Sequence, residues 1–95
     1  METITMFGVE HYNAVDNTST YEIFSTLENA QKFCADKSKW NKKYFPLYIF
    51  KADFNTERIY QEDDEMWNYD DFSDTILKYY DFKIEINSTP QYCNQ

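Results

Sequence analysis

Residues 46–54, Pro-Leu-Tyr-Ile-Phe-Lys-Ala-Asp-Phe (PLYIFKADF), decide the fold. The apolar residues run unbroken from Leu47 to Phe50 and give way to alternation only at Lys51 and Asp53. A strand that is apolar on both faces belongs in the middle of a sheet. Downstream, Asn55 and Thr56 supply a turn and residues 57–61 return as a further strand. Upstream, Ser25 and Glu28 match the Ser-x-x-Glu capping box that opens a helix. Leu27, Ala30 and Cys34, with Phe33 beside them, form its apolar arc, and Glu28, Lys32, Asp36 and Lys39 the polar one. Before the helix, residues 3–12 and 20–25 read as two strands joined by the turn-rich NAVDNTST, with Gly8 permitting a kink or bulge in the first.

After an acidic loop at 62–67, Asn68 is placed to cap a second helix over 69–80. Tyr69, Phe72, Ile76, Tyr79 and Tyr80 cluster on one arc of its wheel, and Asp70, Asp71, Asp74 and Lys78 on the other. Phe82, Ile84 and Ile86 alternate with Lys83 and Glu85 as a half-buried last strand. The expected fold is a small single α+β domain over residues 1–87. Its order is ββαββαβ, a mainly antiparallel sheet with two helices packed on one face. Residues 88–95 read as a flexible C-terminal tail.

Ninety-five residues suit one domain, and a chain this short needs an efficient core. Nine Tyr, eight Phe and two Trp supply it, since each aromatic can bury ~150–250 Å². A net charge of −8 opposes direct binding to nucleic acid or to an anionic membrane, and is compatible with a basic protein partner. No apolar run approaches a membrane span, and no basic-then-apolar leader follows Met1. The two cysteines, Cys34 and Cys93, make no metal-ligand spacing. A cytoplasmic location with reduced thiols is therefore expected, the host cytoplasm if the chain is phage-encoded.

The residue combinations that mark enzymes are missing. One glycine excludes a glycine-rich phosphate cradle, and one histidine, His11, excludes a two-histidine zinc site. Cys34 lies on the apolar arc of the first helix, where a small core residue is expected and not a nucleophile. Residues 62–65 lack the central glycine and ligand spacing of an EF-hand. No enzyme activity, cofactor or metal is expected.

Charge distribution carries the functional reading. Six lysines and one acid lie between Lys32 and Lys51. Seven acids (Glu62, Asp63, Asp64, Glu65, Asp70, Asp71 and Asp74) and no base lie between Ile59 and Leu77. On a helix, Asp70 and Asp74 would stand ~6 Å apart along the axis. That is of the order of the spacing between neighbouring phosphates. Trp67 and Tyr69 interrupt the acids with residue types enriched in interface centres. Such a cluster can serve solubility alone, or it can imitate a phosphate backbone and fill a basic groove. In size, charge and aromatic content the chain resembles the small acidic inhibitors made by phages and mobile elements, including DNA mimics that block restriction or CRISPR nucleases. That resemblance implies a non-enzymatic anti-defence protein. Its partner would be a basic protein surface, such as that of a nucleic-acid-binding protein, with no direct contact to nucleic acid. Glu62, Asp63, Asp64, Glu65, Trp67, Tyr69, Asp70, Asp71 and Asp74 would form the binding surface. Two other readings stand beside it: a small-ligand binder or minor enzyme with a tyrosine-lined pocket, and a homodimer pairing sheet edges.

Overall fold

The computed structural model describes residues 2–86, so the expected tail at 88–95 and Cys93 lie outside the described residues. The elements are β1 (Thr3–Asn13), β2 (Thr18–Phe24), α1 (Leu27–Ala35), β3 (Tyr44–Asn55), β4 (Ile59–Gln61), β5 (Met66–Tyr69), α2 (Phe72–Thr75) and β6 (Ile76–Glu85). The strands form one six-stranded sheet in the order β4-β5-β2-β1-β3-β6, and every described pairing is antiparallel. The α+β class and the antiparallel sheet agree with the sequence reading. β3 lies inside the sheet between β1 and β6, as its two-sided apolar pattern requires.

The pleat of β3 divides the core in two. Phe50, Ala52 and Phe54 point to one face with Met6, Ile23 and Ile59; Ile49 points to the other with Val9, Phe24, Ala30 and Cys34. Phe50 and Phe54 are fully buried, each burial contributing roughly 1.5–3 kcal/mol. α1 covers the second face through Ala30 and Cys34, with Leu27 and Phe33 packed alongside. On the first face the cover is Phe72 of α2, whose ring stacks on Tyr21 at 4.0 Å. The helices therefore lie on opposite faces and not on a shared one, because the segment before β6 must pass across the sheet to reach β3's free edge.

That crossing shapes the molecule. β5 and β6 are four strand intervals apart, ~19 Å if the sheet were flat at ~4.8 Å per interval. The chain from Tyr69 to Ile76 includes the α2 turn at 1.5 Å per residue and spans about 16 Å at full stretch. So the sheet has to curl, and the crossover closes its concave face. Arg58, just before β4, and Asp74 of α2 approach to 3.8 Å across that closure.

Several boundaries differ from the sequence reading. The expected helix over 69–80 is instead the end of β5, a single turn capped by Asp71, and the first half of β6. Asn68 caps nothing; it lies in β5 opposite Tyr60. α1 is capped by Thr26, whose hydroxyl accepts the Asn29 N–H, and not by Ser25 with Glu28. It stops at Ala35, before Lys39. The β1 irregularity falls between Glu10 and His11, not at Gly8. Gly8 has a different duty, for a Cβ there would lie 2.2 Å from Phe50 Cζ. The β1–β2 turn follows its sequence: Asn13 Oδ1 accepts the Val15 and Asp16 N–H groups, and Asn17 takes the left-handed conformation at φ 58°.

Candidate functional site

The β4–β5 hairpin and the crossover that follows it gather the acids. Residues 57–74 hold eight carboxylates against the single base Arg58, which is seven of the chain's eight net negative charges. Their placement is divided. Glu62, Asp63, Asp64 and Glu65 are exposed at the hairpin tip, beyond the Gln61–Trp67 pair. Asp70, Asp71 and Asp74 are exposed at the other end of β5, ~13 Å away for four residues of strand. Without the long helix, the one-turn repeat of Asp70 and Asp74 along a helical face does not exist.

Local structure employs three of the seven. Asp63 Oδ1 accepts the N–H groups of Glu65 and Met66, each at 2.8 Å, which shapes the hairpin tip. Asp71 accepts from the Ser73 N–H and hydroxyl and so starts α2. Asp74 faces Arg58, an exposed pair worth ~0–1 kcal/mol. Glu62, Asp64, Glu65 and Asp70 have no side-chain hydrogen bond or ion pair among the described residues, and are open to a partner.

Trp67 and Tyr69 are packed inward. Trp67 lies opposite Ile23 and joins the core of the crossover face, where its indole N–H is buried without a hydrogen-bond acceptor among the described residues. Tyr69 donates its hydroxyl to the Tyr21 carbonyl at 3.1 Å. Neither interleaves with the acids at the surface. The aromatic that does is Tyr60, 53% exposed on β4, which the sequence reading passed over. Its signal was alternation: Ile59 is buried, so the next side chain must point the other way.

Tyrosines do gather, on the concave face around Glu10. Tyr48 donates its hydroxyl to Glu10, and Lys83 Nζ lies 4.0 Å over the Tyr48 ring. Burial first, then the Glu10 carboxylate, raises the Tyr21 and Tyr48 hydroxyls above the usual tyrosine range, and burial raises Tyr69 and Tyr79. Phenols held in this way stay protonated near neutral pH, so they donate hydrogen bonds and do not accept a proton from a substrate. The Cys34 thiol is pushed up to about 12 by burial, which keeps it from acting as a thiolate nucleophile.

A cavity of about 270 Å³ opens on the other face, between α1 and the hairpin tip. Phe24, Phe33 and Met66 give it apolar surface; Asn29, Lys32, Asp36 and Lys39 come from α1 and the turn after it, and Asp63 and Glu65 from the tip. Trp40 steadies that turn. It lies in the lysine-rich KSKWNKK stretch, yet its ring is buried and its N–H donates to the Phe33 carbonyl at 3.2 Å.

Among the described residues no three His, Cys, Asp or Glu come together to hold a metal ion, and no helix is long and apolar enough to cross a membrane. No family model, curated protein or solved structure matches the chain.

Proposed function

We propose that the chain is a non-enzymatic binding protein that docks the acidic β4–β5 hairpin and crossover onto a basic site of a partner protein. The observation that supports this is the confinement of seven of eight net charges to residues 57–74, where four carboxylates have no partner among the described residues. A surface of one sign steers a partner of the opposite sign and raises its on-rate. Tyr60 is the exposed aromatic beside them that can be desolvated on contact. A nucleic-acid-binding protein offers such a basic site, and an inhibitor that occupies it would act as an anti-defence protein in a host cytoplasm. With the acids split into two groups ~13 Å apart, the surface fits a partner with two basic patches better than a continuous phosphate-binding groove.

The test is a substitution that leaves the fold intact. Glu62→Lys, Asp64→Lys and Asp70→Lys together reverse three unpartnered charges and spare Asp63, Asp71 and Asp74, which have structural duties. Tagged wild-type protein should retain a specific basic protein from a lysate of the source cell, and the triple variant should lose it. Retention of the same protein by a folded triple variant would refute the proposal.

A further inference from the structure

The cavity between α1 and the hairpin tip is lined by charges of both signs and by apolar side chains. Its α1 side presents Lys32 and Lys39, with Asp36 beside Lys39, and its hairpin side Asp63 and Glu65. Opposite charges thus face one another, yet no ion pair joins the two sides among the described residues. Lys32 turns to Glu28 at 3.4 Å and Lys39 to Asp36 at 3.8 Å, both on exposed helix-side pairs worth little. Between the charged sides lie the aromatic rings of Phe24 and Phe33 and the thioether of Met66.

The two sides are held apart by structure. Met66 pairs with Phe24 in the sheet, and Asp63 is fixed by its bonds to the Glu65 and Met66 backbone. On the far side, Trp40 braces the end of α1 through the Phe33 carbonyl. Ser38 donates twice to Asp36 and holds its carboxyl below the usual range, so it stays ionised beside Lys39. A volume of about 270 Å³ falls below the ~300–1,000 Å³ of drug-sized ligand sites, so the occupant is small.

We propose that this cavity binds a free zwitterionic α-amino acid with an apolar or aromatic side chain. Its carboxylate faces Lys32 and Lys39, its ammonium faces Asp63 and Glu65, and its side chain lies on Phe24, Phe33 and Met66. The cavity shares Asp63 and Glu65 with the acidic hairpin, but Glu62, Asp64 and Asp70, the three residues reversed in the test of partner docking, do not line it, so the two proposals can fail separately.

The experiment is a titration of the whole protein with L-phenylalanine and with L-leucine, followed by amide chemical shifts. Saturable shifts at Phe33, Met66 and their neighbours are expected in the millimolar range. Phenethylamine and 3-phenylpropionate, which each keep one charge, should bind roughly tenfold more weakly or worse, as expected when one charge-assisted contact is lost. Lys32→Met and Glu65→Gln, both exposed substitutions, should weaken L-phenylalanine to a similar degree with the unfolding midpoint unchanged. Absence of saturable shifts with both amino acids overturns the proposal. So does binding that is indifferent to the ligand's charges or to both substitutions.

Discussion

Gly8 shows how a single residue sets the core. Its missing side chain leaves room for the Phe50 ring, three atoms of which would lie 2.2–2.7 Å from an added Cβ. Phe50 cannot easily retreat, because Tyr21, Tyr48, Phe72 and Tyr79 surround it. Gly8→Ala should therefore destabilise the fold by about 1–3 kcal/mol in urea unfolding, against a smaller entropic gain from the unfolded chain. Phe50→Leu should cost less in that background than in the wild type; strict additivity would show that the ring is not the obstacle. The tyrosines around Glu10 give a pH dependence whose sign follows from linkage. Their folded pKa values lie above the unfolded value near ~10, so the folded state holds these protons more tightly. The stability they contribute is complete below that value and is lost as pH rises from it through the raised folded values. Thermal midpoints should fall above pH ~10, and fall less steeply in Tyr48→Phe; equal slopes would contradict the assignment.

The crossover from β5 to β6 is where sequence and structure part. Tyr69, Phe72, Ile76, Tyr79 and Tyr80 fit a helical arc, but aromatic and β-branched residues equally favour strands, and a short stretch can satisfy both periods. The larger structure decides between them. β3 is twelve residues long, and without β6 its outer backbone groups would have no strand partner among the described residues. PLYIFKADF revealed that β3 was central, yet it could not reveal which segment would pair with its far edge. Thr26 in place of Ser25 is a smaller case: both can cap, and the choice moves the helix start by one residue without changing the inward face of Ala30 and Cys34. Phe72 tests the crossover itself, since its ring is the cover of the concave face. Phe72→Ala should cost about 2–3 kcal/mol in urea unfolding, less than the ~3–5 of a fully buried phenylalanine because the ring is half-buried. A cost below ~1 kcal/mol would mean that the crossover does not hold the curl of the sheet closed.

At the scale of the molecule, charge was the legible property and geometry was not. Counting residues located the acids between Glu62 and Asp74, and the structure keeps them exposed, four at the tip of the β4–β5 hairpin and three on the crossover after β5. Their arrangement depended on the secondary structure of 69–80, so the expected carboxylate ladder became two groups at the ends of β5. Trp67 and Tyr69 turned inward for the same reason: in a strand, Trp67 opposite Ile23 must share that residue's buried face. The cavity was illegible because Phe24, Lys32 and Glu65 are distant in sequence and meet only through the β2–β5 pairing. Docking of the acidic hairpin and crossover on a basic partner remains the central claim, and the salt dependence of that complex measures it most directly. Once the retained protein is purified, its affinity should fall steeply with added salt, and the slope should flatten in the Glu62→Lys, Asp64→Lys, Asp70→Lys variant. An affinity that is insensitive to salt, or a slope unchanged in the variant, would contradict it.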